Sequence, residues 1–294
     1  MSDEVEEAIR KYERLAPLHN KSSLELLEPV RAAFRGVPMF AVFDTAFHTS
    51  LPEVASRYAI PEDLAEKHGI RRFGFHGTSH RYLMNRAAHL LNKPIGELKL
   101  VTLHLESGCS ATAICHGKSV ENTMGFTPLE GLMMGTRSGD VDPSLIPFLM
   151  REEQMQAEDV LTLLNKQSGL LAVSQKSLDT RVLMKDYGQD PRITLAIDMF
   201  AYRLVKAVGA YLAVLHGADA IVFGGGIGEN NVVVRQRVCD SLRWCGLKMD
   251  ARQNEAILDQ EGKLSTGDSS LAALVVITEE GLQIAQECCD AFKL

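Results

Sequence analysis

The chain has 294 residues, 46% of them apolar, enough to bury a sizeable core as one large domain or two ordinary ones. Its formal charge is −7, with acids and bases mixed and no basic block, which argues against nucleic acid as a partner. No uninterrupted apolar run is long enough to cross a bilayer, so no membrane partner is expected.

The N-terminal "MSDEVEEAIRKYERL" is acidic and amphipathic, unlike a signal or transit peptide, and the expectation is a soluble, cytoplasmic protein. A helix is predicted over Val5–Leu15, broken by "APLHN" at Pro17, with a second helix over Ser23–Phe34. "VPMFAVFDTAFH" reads as an apolar strand ending in Asp44. "RRFGFHGTSHRYLMNRAAHLL" reads as a loop leading into a helix, with Thr78 or Ser79 as the N-cap. "LVTLHLESGCSATAI", Leu100 to Ile114, reads as strand, tight turn, strand, closed by a second turn at "HGKS". A glycine-bearing turn of this kind can bring backbone N–H groups up to a phosphate. Here the turn also holds an acid, Glu106. "TMGFTPLEGLMMGTRSGDVDPSL" is too rich in Gly, Pro and Thr for a regular element, and a loop of that length is usually functional.

The second half alternates strands and helices. Ile193, Ile197, Leu204, Val208 and Leu212 recur near helical spacing, "ADAIVFGGGIGEN" is a buried strand running into glycines, and "VVVRQRVCDSLRWCGL" is the next helix. "AALVVIT" is another buried strand and "EEGLQIAQECCDAF" a closing helix. Strand, glycine loop, helix is an α/β signature. The six cysteines show no zinc spacing and read as reduced thiols.

Several stretches can carry chemistry. Gly224, Gly225, Gly226 and Gly228 lie between a strand and a helix, where backbone can approach a nucleotide closely, or can simply turn tightly. They match neither a dinucleotide fingerprint nor a P-loop. "SLDTR" places Asp179 and Arg181 in a polar loop, as ligand contacts or as a surface ion pair at a helix start. His76 and His80 are four apart, but Gly77 spoils a zinc helix, and His76 reads better as a donor to an anion. Arg137 sits among small residues, free to reach a transferring phosphoryl group or to pair with Asp140 or Asp142. Asp44 either faces a cleft or caps a turn.

Taken together these stretches closely resemble the acetokinase family, the acetate and propionate kinases with the actin-like ATPase (ribonuclease H-like) α/β fold. The matching runs are "APLHN", "AVFDTAFH", "HGIRRFGFHGTSH", "TMGFTPLEGLMMGTRSGDVDP", "SGLLAVS" with "SLDTR", "GGGIGEN" and "TEEGLQIA", in the family order. The resemblance implies reversible, Mg²⁺-dependent transfer of a phosphoryl group from ATP to a small carboxylate. It implies Asp44, His76 and Arg137 as active-site residues, and Leu18, His19, Phe75 and Pro128 as the border of the acyl pocket. It implies ATP contacts from His104, Ser107 and Gly108, from Asp179, Thr180 and Arg181, and from Gly226, Ile227, Gly228, Glu229 and Asn230. Glu280 matches the acid that holds magnesium, and a homodimer through the second domain is implied.

Two departures from the family stand out. The chain begins where the family's first domain is nearly finished, so residues 1–44 and 279–294 are expected to be remnants of that domain and 45–278 the complete second one. Where the family reads His-Leu-Gly-Asn-Gly-Gly-Ser, this sequence has His104, Leu105, Glu106, Ser107, Gly108, Cys109 and Ser110. Both departures lead to an expectation of weak or absent turnover, and the first of them to an expectation of exposed apolar surface around "MFAVF". The rival expectations are an impaired nucleotide-binding or scaffold relative, a propionate kinase, and a zinc hydrolase using His76 and His80.

Overall fold

Every second residue of the central hairpin faces the same side, and this alternation organises the fold. The structure, a computed structural model, describes residues 2–11 and 17–292, apart from the side chains of residues 17–22. Its contacts divide the chain into two units, Met1–Phe43 with Ile284–Leu294, and Asp44–Gln283.

The first unit holds α1 (Asp3–Lys11) and α2 (Pro17–Ala33). Arg31 pairs with Glu6 at 2.9 Å between them. The second helix starts six residues earlier than its sequence suggested, because a proline is tolerated in a first helical turn, where its missing N–H has no partner to lose. Residues 12–15 of the expected first helix lie outside the described residues. The strand expected over residues 37–43 does not form. A strand needs a partner for its ladder, and none is recorded for this segment among the described residues. Val37, Phe40 and Phe43 are accordingly exposed.

The second unit is built on one sheet. After α3 (Glu53–Ser56), α4 (Glu62–His68) and α5 (Gly77–Leu91) come β1 (Lys99–Leu105), β2 (Cys109–Cys115) and β3 (Lys118–Asn122). No regular element occurs from Thr123 to Ser144, as its composition indicated. Then follow α6 (Leu145–Glu152), α7 (Ala157–Lys166), α8 (Gly169–Ser174), α9 (Thr180–Leu183) and α10 (Pro191–Val214). The chain continues through β4 (Ala220–Gly224), α11 (Gly225–Asn230), α12 (Val232–Ser241), α13 (Ala251–Ala256), β5 (Gly262–Lys263), β6 (Ala272–Val275) and α14 (Glu280–Phe292). The strand order is β3-β2-β1-β4-β6-β5, with β1, β4 and β6 parallel and the other pairings antiparallel.

Both faces of the sheet are covered, so both sets of alternating residues are buried. Val101, Leu103, Ile221, Phe223, Ala273 and Val275 pack against Phe200 and Leu204 of α10 and Val234 of α12. Leu100, Ile114, Val222 and Leu274 pack against Tyr82, Leu83 and Ala87 of α5. On that second face the same alternation also places Thr102 and His104, with Thr112 and Ser110 directly opposite them on β2. A polar stripe thus runs beneath the start of α5.

Candidate active site

The start of α5 is capped from a distance, which is why the local sequence misidentified the cap. Neither Thr78 nor Ser79 serves; the cap residue is His76, in the left-handed region at φ 56°. Its N–H donates to Asp44 Oδ2 at 2.7 Å, and the N–H of Gly77 donates to the Asp44 carbonyl at 2.8 Å. A Cβ on Gly77 would lie 2.3 Å from that carbonyl oxygen, so only glycine lets the two segments meet. Asp44 therefore holds the His76 loop in place. One residue earlier, the Phe75 carbonyl lies 2.9 Å from His48 Nε2. A carbonyl can only accept, so His48 carries its proton on Nε2 and accepts from Ser119 through Nδ1, 2.8 Å from that hydroxyl. Burial lowers the His48 pKa to about 4.

His76, the hairpin tip and Arg137 converge on one point. A Cβ on Gly108 would lie 3.3 Å from His76 Nε2 and 3.5 Å from Arg137 Nη1. The tip is anchored to the long loop by the Gly135 N–H, which donates to the Ser107 carbonyl at 3.1 Å. Arg137 donates to the Pro128 carbonyl at 3.1 Å, and no carboxylate pairs with it among the described residues. Asp140 and Asp142 instead accept the backbone N–H groups of Gly131 and Ser144. Burial depresses the guanidinium pKa, as expected for a desolvated cation without a counter-charge. An unpaired, half-buried guanidinium beside a glycine turn is suited to an anion.

The rings of His76 and His104 lie 4.3 Å apart, and His104 Nδ1 is 2.7 Å from the Ser79 hydroxyl. Burial, with His76 adding to it, lowers the His104 pKa to about 3. The ring is therefore neutral at pH 7, and the 3.9 Å approach of Glu106 to it is not an ion pair. The Glu106 carboxylate nonetheless raises the pKa values of Glu229 and Glu280, after burial and, for Glu280, Asp44. It thus faces the same region as they do. Glu229 accepts the Thr278 N–H at 2.9 Å, and the Thr278 hydroxyl accepts the Gly225 N–H at 2.8 Å.

The remaining expected residues separate into distinct places. Thr180, Arg181, Gly226 and Asn230 line one cavity of about 290 Å³ together with Met184, Val232, Val233 and Leu258. Asp179 caps α9 and holds Arg181 through both carboxylate oxygens, so Arg181 is at once half of a surface ion pair and part of the cavity wall, which Asp179 itself does not join. The glycines expected as a loop form the short helix α11, in which Ile227 packs on the core and Gly228 against Phe223. Phe75 also packs on the core, while Leu18 and His19 lie outside the described side chains. His76 and His80 share a hydroxyl rather than converging on a metal position: His76 Nδ1 and His80 Nε2 lie 2.8 and 2.7 Å from Ser110 Oγ. Sequence reasoning matched Ser110 to the family's hairpin without giving it a role, and passed over Thr102 and Thr278. Alternate polar residues in an otherwise apolar buried hairpin were the available signal for Ser110 and Thr102.

Sheet order, polar hairpin and glycine-led helix make a mixed α/β fold of the kind expected of an actin-like ATPase. A family model described as "Acetokinase family" matches residues 1–286, and the chain belongs to that family. An acetate kinase from Methanosarcina barkeri is 48% identical over 96% of this chain and 69% of its own length. One from Thermosipho melanesiensis is 47% identical over 98% of this chain and 71% of its own. The crystal structure of Porphyromonas gingivalis acetate kinase superposes with a TM-score of 0.93 at 42% identity, covering 98% of this chain and 72% of that one. A propionate kinase from Francisella tularensis gives 0.92 at 38% identity, covering 98% of this chain and 73% of that one.

Proposed function

We propose that this chain transfers the γ-phosphoryl group of ATP reversibly to acetate, giving ADP and acetyl phosphate. The observation that carries this reading is the convergence of the His76 ring and the Arg137 guanidinium on Gly108 at the hairpin tip. It stands a single phosphoryl group's reach from two cationic or hydrogen-bonding side chains. The 290 Å³ cavity between α9 and α11 is suited to the nucleoside.

A carboxylate oxygen of acetate attacks the γ-phosphorus, the bond to the β,γ-bridging oxygen breaks, and its electron pair stays on ADP. Acetate is already ionised at pH 7, so no base is needed, and catalysis lies in positioning and in neutralising charge. Arg137 supplies fixed positive charge and His76 a ring N–H. Asp44 holds the His76 loop. Pro128, on whose carbonyl Arg137 rests, and Phe75 are the described residues that the family resemblance assigns to the acyl pocket.

The acids suit Mg²⁺. Asp44, Glu106 and Glu280 interact electrostatically, which leaves the region rich in negative charge just where phosphates would bind. No group of three ligating side chains is close enough to cage a metal among the described residues. Magnesium keeps most of its waters and binds through one or two carboxylates plus phosphate oxygens, which fits this spacing, with Glu280 as the holder. The bound ion would neutralise phosphate charge.

We further propose a cytoplasmic homodimer formed through the unit Asp44–Gln283. The test is acyl phosphate formation by purified protein from ATP, Mg²⁺ and acetate, with propionate alongside. Acetyl phosphate is expected, formed slowly because the hairpin carries Glu106 and Cys109 where the family has glycine. ATP binding without acyl phosphate from either acid would leave only the nucleotide-binding relative.

A further inference from the structure

His76 is tied into a buried chain of hydrogen bonds that leads away from the reacting groups. Its Nδ1 lies 2.8 Å from Ser110 Oγ, which lies 2.7 Å from His80 Nε2. His80 Nδ1 lies 2.8 Å from Thr102 Oγ1. Ser110, His80 and Thr102 are all fully buried. The strand pleat put Thr102 and Ser110 on the face beneath α5, and the four-residue spacing put both histidines on the helix face above them.

The protons in such a chain run in one of two directions. In the first, His80 donates to Thr102, Ser110 donates to His80, and His76 donates through Nδ1 to Ser110. The Nε2 of a neutral His76 then carries a lone pair toward the hairpin tip. In the second, Thr102 donates to His80 Nδ1, His80 donates through Nε2 to Ser110, and Ser110 donates to His76 Nδ1. Nε2 of His76 then carries the proton. The hydroxyl of Thr102 decides between them. Its one recorded hydrogen-bond contact is His80 Nδ1, and it is fully buried. In the first direction its proton would have no acceptor among the described residues, which is unfavourable in a dry interior. In the second the protons of Thr102, His80 and Ser110 each find an acceptor.

We infer that Thr102, His80 and Ser110 are positioning residues that fix the tautomer of His76, so that its neutral ring presents Nε2–H toward the transferring phosphoryl group. The imidazole then acts as an aligned donor without first taking up a proton. Burial keeps His80 neutral, as the chain requires, by lowering its pKa well below the usual value. The inference rests on the reading of His76 as the residue facing the phosphoryl group.

The test is ¹⁵N NMR of ring-labelled histidine in the whole chain, alongside acyl phosphate kinetics. In the wild type His76 Nδ1 is expected to show the unprotonated shift and Nε2 the protonated one. Thr102→Val removes the deciding hydroxyl and should turn the His76 signal into a tautomer mixture, while Thr102→Ser restores it. Ser110→Ala should release the tautomer and lower kcat about 10²-fold, the size of losing one aligned donor, with KM for acetate within about twofold. A wild-type His76 protonated on Nδ1 overturns the inference, as does a tautomer unchanged in both Thr102→Val and Ser110→Ala. A fixed tautomer in a wild type that makes no acyl phosphate would instead overturn the kinase reading and leave the hydrogen-bond chain standing.

Discussion

Arg235 is a fully buried cation with no carboxylate partner among the described residues, and its removal is the sharpest test of how the cavity proposed for the nucleoside is held. Its Nε donates to Asn254 Oδ1 at 2.8 Å, and its Nη2 to the carbonyls of Asn254 at 2.7 Å and Ile257 at 2.8 Å. Its Nη1 donates to the carbonyls of Gly228, at 3.2 Å, and Glu229. Those last two oxygens end α11, where backbone dipoles concentrate negative charge. Burial lowers the guanidinium pKa to about 10, so it stays charged at pH 7. Arg235→Met keeps much of the volume and deletes all of these bonds. Hydrogen bonds to a charged group contribute about 1.5–3 kcal/mol each, but the variant also escapes the desolvation of the cation. The net loss of stability should therefore be about 3–5 kcal/mol rather than the sum. At about 2–4 °C per kcal/mol, the unfolding midpoint should fall by about 6–20 °C. Since α11 supplies Gly226 and Asn230 to the cavity, ATP should bind about tenfold more weakly. Differential scanning calorimetry and isothermal titration read the two effects. A midpoint within about 2 °C of wild type, with unchanged ATP affinity, would refute the claim that Arg235 clasps α11.

Arg137→Ala should lower kcat by about 10³-fold, and Arg137→Lys should recover little, because an ammonium lacks the planar fork; full activity in either variant removes Arg137 from the reaction. Glu106 is 63% exposed, so solvent screens it and its repulsion of a phosphate nears the ~1 kcal/mol of an aqueous pair at contact. Glu106→Gly with Ser107→Asn should then tighten ATP binding about fivefold by titration calorimetry; no gain shows that the charge is harmless. His48 and His104 have pKa values of about 4 and 3 when folded, below the ordinary 6.5. The unfolded chain therefore binds more protons below pH 6.5, and these two groups should make stability fall as pH drops from 6.5 toward 4. Urea unfolding across that range, with His48→Gln flattening the slope, checks the sign; stability that rises on acidification contradicts it.

The regular elements of the second unit were largely legible in the sequence. A buried hairpin of alternate residues, a long helix with 3.6 periodicity and strands running into glycine each carry their own signal, set by how a side chain leaves its backbone. The elements misread were those decided by a partner. Residues 37–43 have the composition of a strand and no ladder to join among the described residues, and the cap of α5 comes from Asp44, 32 residues before His76. The short helix α11 likewise meets a partner outside itself, Arg235, which donates to the carbonyls of Gly228 and Glu229.

What the sequence determined alone was the family, the order of the elements and the residue types able to do phosphoryl chemistry. Only the tertiary structure decided which of them meet. It brought His76 and Arg137 together at Gly108, left Arg137 without the carboxylate that Asp140 or Asp142 could have offered, and kept Glu229 out of the wall of the cavity proposed for the nucleoside, which Asn230 lines. It also turned Thr102 and Ser110, given no role by the sequence, toward the two histidines at the start of α5. The physical reason is that a residue's chemistry is local, whereas its protonation and partners depend on burial and on groups far away in the chain.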